Sequence, residues 1–386
     1  MREDWRHGGF GLYVHWPFCA AKCPYCDFNS HVTASIDMDT WQKAYLTALA
    51  FYGMSTPDRV LNSVYFGGGT PSLMDPAIVG AILDSLSRYW HLANDLEVTL
   101  EANPSSVEAG RFSQYRAAGV NRVSLGVQAL NDPDLRALGR LHDVSQALNA
   151  LDIAKTTFDR VSFDLIYGRQ DQTLTAWEGE LRLALAFEPE HLSLYQLTIE
   201  DGTAFGDRFK RGLLRGLPGE DLSADMFFLT QEMCAEAGLP AYEVSNHAKE
   251  GQESRHNLIY WRGGDYVGIG PGAHGRLTLD GTRYETTTAL APNAWLAASN
   301  QGNGGEENRR GLSPSDHAGE YLMMSLRTGQ GTDLLRYASI LGASLDSDRI
   351  SHLRSIGLVT VEDHHLIATP TGRPVLNAVI AELLPD

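Results

Sequence analysis

Tyr13-Val-His-Trp-Pro-Phe-Cys19-Ala-Ala-Lys-Cys23-Pro-Tyr-Cys26 runs from an apolar strand into three cysteines spaced C-x3-C-x2-C. Three thiolates on one short loop can hold a cubane iron–sulfur cluster by three of its irons, where four cysteines would saturate it. The missing fourth thiolate leaves one iron open to a small molecule. Two other arrangements use the same residues. Three cysteines with His15 or His31 could form a structural zinc site. Disulfides need pairs, and the chain has only four cysteines, three of them within eight residues. The fourth, Cys234, falls in a helical stretch, 222–238, and reads as a buried apolar side chain.

Working outward, 386 residues suit one large domain and a smaller one. A hydrophobic fraction of 43% supplies a full core. No apolar run reaches the roughly 20 residues of a membrane span. The start, Met1-Arg-Glu-Asp-Trp-Arg-His7, lacks the apolar centre of a secretory leader, so a cytoplasmic, reducing location is expected. A net charge of −17 argues against a nucleic-acid surface, which needs clustered Lys and Arg. The stretch 299–311, rich in Gly, Asn and Glu, reads as the least ordered.

Apolar, β-branched runs at 11–15, 61–66, 96–100, 122–127, 160–166 and 191–197 alternate with helical periodicity, for example at 40–52, 76–90 and 173–187. Pro76 behind Asp75 looks like a first-turn proline behind its cap. Strand–helix alternation without a dinucleotide fingerprint predicts an α/β fold, an open, partial (β/α)6 barrel. The chemistry of such barrels sits at the C-terminal strand ends. Here those ends carry the cysteine loop, Gly67-Gly68-Gly69-Thr70-Pro71, Glu101-Ala-Asn103, Gly126-Val-Gln128, Asp164 and Gln196. A glycine run lets a ligand's ammonium or carboxylate approach the backbone; alone it is a turn, and it lacks the Lys-Ser/Thr of a phosphate loop. Glu101 and Asp164 could accept from an ammonium or ribose hydroxyls, and Arg140 could clamp a carboxylate.

These motifs together resemble the radical S-adenosylmethionine (SAM) superfamily, in the branch around oxygen-independent coproporphyrinogen III oxidase. The resemblance covers nearly the whole chain. It implies that Cys19, Cys23 and Cys26 ligate a 4Fe-4S cluster whose open iron takes the amino and carboxylate groups of SAM. It implies SAM contacts from Tyr13, six residues before Cys19, and from Tyr25 near the adenine. Gly68, Gly69 and Thr70 would meet the methionine moiety, and Glu101, Gln128, Arg140 and Asp164 the remaining polar groups. Leu197 matches a strand-six backbone contact, and Ala273 or His274 a weaker late one.

Within the branch, the oxidase has a further cysteine two residues after the third, and this chain has Phe28 there. Asp27-Phe28-Asn29-Ser30-His31 and His256-Asn257-Leu-Ile-Tyr260-Trp261 resemble instead its heme-chaperone members. That resemblance associates the H-N-x-x-Y-W run with heme. Read by chemistry alone, His256 is a candidate iron ligand, and Tyr260 and Trp261 could stack on a porphyrin. The alternative is a satisfied core histidine, with His247, His274 and His365 as other ligands. Two departures stand out: Arg169-Gln170-Asp171-Gln172 replaces a usual Leu-Pro-Gly-Gln, and His247 a usual Phe.

The expected organisation is a core at 8–245, an extension at 246–310 carrying the H-N-x-x-Y-W run, and a small winged-helix-like α+β domain at 311–386. That last part has five Arg and no Lys against nine acids, which favours a lid or docking surface over DNA. The expected function is binding heme and passing it to a heme-accepting protein; the alternative is a radical porphyrinogen oxidase. A transient membrane-protein contact and a homodimer complete the partner expectations.

Overall fold

The computed structural model describes residues 3–33 and 35–384. Six parallel strands run in chain order: β1 (Phe10–Trp16), β2 (Val60–Gly68), β3 (His91–Ala102), β4 (Arg122–Gln128), β5 (Arg160–Tyr167) and β6 (His191–Gln196). This is the partial (β/α)6 barrel that the alternation predicts. Helices Met38–Ser55, Pro76–Ser85, Val144–Thr157 and Leu174–Leu185 are among those that cover its outer face. Their starts are written locally. Asp37 accepts from Thr40 N, Asp75 caps Ala77 N ahead of Pro76, and Asp143 with Gln146 forms a capping box.

Side chains alternate along these strands, which sorts them into two sets. Leu12, Val14, Val64, Phe66, Val98, Leu100, Val123 and Leu125 enter the apolar core. The alternate positions are small or polar: Gly11, Tyr13 and His15; Ser63, Tyr65 and Gly67; Glu97, Thr99 and Glu101; Arg122, Ser124 and Gly126. The register aligns them across the sheet, with Tyr13 beside Tyr65, Tyr65 beside Thr99, and Thr99 beside Arg122.

Residues after 245 continue the same sheet on both edges. β7 (Asn246–Ala248) adds antiparallel to β6. β8 (Asp265–Ile269) joins the free edge of β1 in parallel. Then β9 (His274–Leu279), β10 (Thr282–Thr288) and β11 (Glu306–Gly311) form an antiparallel meander, giving eleven strands. The stretch 299–311 is therefore not the least ordered, and β11 corrects that expectation. Arg310 pairs across to Glu285 at 2.9 Å, and Arg309 pairs with Glu306 at 2.9 Å. Such charges suit an edge strand, whose sequence need not be apolar.

A separate three-stranded sheet, β12 (Thr332–Asp333), β13 (Val359–Glu362) and β14 (His365–Ala368), packs with four helices between Pro314 and Leu383 around its own core. This is the winged-helix-like unit. No helix among the described residues is long and apolar enough to cross a membrane.

Candidate functional site

The cysteine loop leaves β1 and is pinned at both ends. Cys19 N donates to His31 O at 2.9 Å and His31 N to Pro17 O at 2.7 Å. Asn29 Nδ2 donates to Pro271 O and Leu290 O, and His15 Nε2 meets Asn29 O at 2.9 Å. The glycine motif backs it, with Gly69 N on Trp16 O at 2.7 Å and Thr70 N on Phe18 O at 2.9 Å. A Cβ at Gly69 would stand 2.8 Å from Phe18 O and 3.0 Å from Pro17 C, so only glycine admits this approach.

Cys19, Cys23 and Cys26 are half-buried free thiols that feel one another electrostatically, whereas Cys234 is buried on its helix. Thr70 Oγ1 donates to Cys19 Sγ at 3.3 Å and Arg140 to Cys23 Sγ at 3.4 Å. Burial pushes the Cys19 and Cys26 thiols up. Among the described residues, no three or more His, Cys, Asp or Glu side chains converge on a point where one ion could sit. Three thiols on one loop, two receiving outside donors, fit a cluster in which each thiolate takes its own iron.

Several of the predicted SAM residues contact this loop: Gly69, Thr70 and Arg140 by hydrogen bonds, and Leu197 in the cluster that includes Tyr25. Arg140 also reaches Tyr25 OH at 3.5 Å, Asn103 Oδ1 at 2.5 Å and Gly126 O at 3.0 Å. Asn103 Nδ2 returns to Thr70 Oγ1 at 3.3 Å. Asn103 was visible as a strand-end residue but not as the bridge between Thr70 and Arg140. Tyr13 OH meets His15 Nδ1 at 3.0 Å. Gln128 holds the left-handed region at φ 70°, which aims its backbone away from the regular ladder. Leu197 N donates to Tyr167 O, and its side chain packs with Tyr25 and Phe205 in a small cluster.

Glu101 and Asp164 are the two carboxylates of the rim. Burial pushes Glu101 up to about 7, against the Tyr65 hydroxyl that donates to it at 2.8 Å; Asp164 adds to the rise. Burial pushes Asp164 up to about 6, against hydrogen bonds from Ser193 and Ser124. Once ionised, such acids can accept from an ammonium or a hydroxyl. Tyr65 was missed from sequence, although its place on the face of Ser63 and Gly67 marks it.

The H-N-x-x-Y-W run begins at a buried histidine beside Tyr13 and Tyr65. His256 is 1% exposed. Its Nδ1 meets Ser63 Oγ at 2.7 Å and its Nε2 meets Tyr260 OH at 2.6 Å. Burial holds its imidazole down at about 3, so the ring is neutral. Tyr260 and Trp261 are half-buried, and Asn257 sits in the capped first turn of its helix, Arg255–Trp261. Of the other histidines, His247 is fully buried and His274 is exposed at the start of β9. Arg169, from the departing loop, is buried between Glu180 and Asp134 beside a cavity of about 620 Å3. None of the predicted SAM residues lines that cavity.

Comparison with known proteins gives the family and the fold. Residues 13–184 match the family described as the Radical SAM superfamily. The chain is 38% identical to the mouse (Mus musculus) mitochondrial Radical S-adenosyl methionine domain-containing protein 1, over 97% of this chain and 87% of that protein. It is 36% identical to Heme chaperone HemW of Escherichia coli (strain K12), over 97% of this chain and 98% of that protein. The solved structure of coproporphyrinogen III oxidase (HemN) from Escherichia coli superposes with a TM-score of 0.81 over 100% of this chain and 91% of that one, at 20% identity, which shows the shared fold. With the thiol loop, the glycine motif and the strand-end acids on one rim, the chain belongs to the radical SAM superfamily, whose cofactors are a 4Fe-4S cluster and SAM.

Proposed function

We propose that the protein is a heme chaperone built on a radical SAM scaffold, binding heme and passing it to an acceptor protein. Likeness to Heme chaperone HemW along almost the full length of both chains supports this. The observation that carries it is Phe28. It stands where the oxidase branch has a further cysteine, and its side chain is 56% exposed and offers no ligand.

In this reading Cys19, Cys23 and Cys26 hold a cluster with one iron left for the amino and carboxylate groups of SAM. Glu101 accepts from the ammonium, Asp164 from ribose hydroxyls, and Arg140 holds the loop side of the site together through Cys23, Tyr25 and Asn103. Tyr13, Gly68, Gly69, Thr70, Gln128 and Leu197 complete the pocket. Heme associates with the 256–261 segment through its half-buried members, Asn257, Tyr260 and Trp261. Ligation by His256 would require the Arg255–Trp261 helix to leave the sheet, so the iron ligand falls to an accessible histidine such as His274. The protein works in the cytoplasm as a core (8–245), an extension (246–310) and a docking unit (311–386). A homodimer and a transient membrane-protein contact belong to the same reading.

The test is heme titration and transfer to an apo-acceptor, run on the parent, Cys19→Ala and His274→Ala. The reading expects Cys19→Ala to bind heme but fail to transfer it, and His274→Ala to bind it more weakly. Anaerobic rescue of an oxidase-deficient strain by the parent, without heme transfer, would establish the oxidase instead.

A further inference from the structure

His256 is built into the interior with unusual completeness. Gly11 of β1 leaves its seat: a Cβ there would stand 3.2 Å from His256 Nδ1 and 3.0 Å from both Ser63 Oγ and Ile259 Cδ1. The backbone N of His256 donates to Glu97 Oε1 at 3.2 Å. With Ser63 of β2 and Tyr260 of its own helix on its ring nitrogens, the imidazole is held at two points, and Glu97 of β3 holds the backbone of the same residue.

The held ring serves as a platform. It stacks on Tyr65 with centroids 5.0 Å apart and 22° between planes, and more distantly on Tyr13 at 6.4 Å and 29°. The two tyrosines stack on each other at 6.3 Å. Their far side meets the glycine motif, where a Cβ at Gly67 would stand 2.9 Å from Tyr13 Cε2 and 3.0 Å from Tyr65 Cε1. The Tyr65 hydroxyl donates to Glu101 Oε1 at 2.8 Å. The backbone of Gly68 also favours the ionised form of Glu101.

We propose that His256 is a positioning residue for the SAM site, acting through Tyr65 to fix the Glu101 carboxylate that receives the SAM ammonium. This gives His256 a role at the rim without contact of its own to SAM or heme. It rests on the reading of Glu101 given above. A stacked ring that loses its platform keeps its covalent place but not its rotamer, and the donated hydrogen bond goes with it.

The experiment measures SAM affinity by perturbation of the reduced cluster's paramagnetic signal, with iron and sulfide content measured in parallel. The proteins are the parent, Tyr65→Phe, His256→Ala, Ser63→Ala, Glu101→Gln and the His256→Ala/Tyr65→Phe double variant. Losing one hydrogen bond to a charged acceptor is worth about tenfold or more in affinity. Tyr65→Phe and His256→Ala should each weaken SAM binding by about tenfold at unchanged iron content. The double variant should be no weaker than Tyr65→Phe alone, since both act on one contact. A merely structural histidine gives additive losses, and that result overturns the proposal, as does parental SAM affinity in His256→Ala. If His256→Ala fails to fold, Ser63→Ala decides: it frees one ring nitrogen only, and parental affinity there overturns the proposal. Parental affinity in Glu101→Gln sinks the reading of Glu101 instead.

Discussion

At the residue scale, three thiols and two raised carboxylates carry the testable chemistry. A three-thiolate site has no spare protein ligand, so Cys23→Ser should lose most of its iron and sulfide. Cys234→Ser should keep both, because Cys234 lies buried in the separate helix Glu220–Glu236. Full iron loading of Cys23→Ser would reject the cluster assignment. Glu101 and Asp164 give a pH signature. Each must be ionised to receive an ammonium or a hydroxyl well, and burial raises them to about 7 and about 6, with Arg122 and Tyr65 favouring the charged form of Glu101. SAM affinity should therefore climb as pH rises through 6 to 7 and release protons on binding below that range. The stability of the SAM-free protein runs the other way. A carboxyl raised in the folded state contributes stability below its usual value, and that contribution is lost as pH climbs through about 7. Calorimetric SAM titration at several pH values checks the sign. An affinity that is flat with pH would show that neither acid meets SAM.

At the element scale, the barrel was legible because parallel strands with apolar runs separated by capped helices leave few alternatives. The candidate rim was read on the same basis: glycines and acids gather where the predicted strands end. The interior face was less legible. Ser63, Tyr65, Glu97 and Arg122 look ordinary one at a time, and only register puts them together. The second half of the sheet escaped because its outer strand, Glu306–Gly311, is a charged run that resembles a loop in composition, with one pair across to Glu285 and one within the strand. Likewise the helix expected at 76–90 stops at Ser85 and continues as a short 3-10 turn, Leu86–Arg88. His256 drew attention as a heme ligand because a sequence shows a residue's chemistry and not its neighbours. The glycine motif offers a test of element fit. Gly69→Ala pushes a Cβ against the backbone of the cysteine loop, which cannot yield without moving Cys19. It should cost about 1–3 kcal/mol and lower cluster occupancy with all three cysteines intact. Iron content and thermal unfolding read both effects. Parental occupancy would mean that the loop seats independently of Gly69.

At the scale of the whole molecule, one buried contact ties the first turn of the chain to its C-terminal unit. Asp4 is 5% exposed, and its carboxylate receives Arg336 Nε at 2.9 Å and Nη2 at 2.7 Å. Arg336 lies on the helix Leu334–Leu341 of the winged-helix-like unit and also donates to Arg262 O at 2.7 Å, just after the H-N-x-x-Y-W run. His317 of the same unit approaches Asp4 at 3.6 Å. Three distant parts of the sequence meet in one fork of charge. Removing one partner of such a pair leaves an uncompensated buried charge, at about 3–5 kcal/mol. Asp4→Ala should therefore split thermal unfolding into two transitions, the earlier one belonging to the unit with its own core at Ala318–Leu383. Acid should do the same without mutation. Burial works to raise Asp4, but the Arg336 bond and charge outweigh it and hold its carboxyl below the usual range. Stability from a depressed carboxyl is present above its unfolded value near 3.8 and is lost as pH falls through the folded one. The early transition should thus appear below about pH 4 in the parent. In Asp4→Ala it should be present at neutral pH and change little between pH 7 and 4 through this group. A single cooperative transition in Asp4→Ala would show that the C-terminal unit is held by its apolar contacts alone.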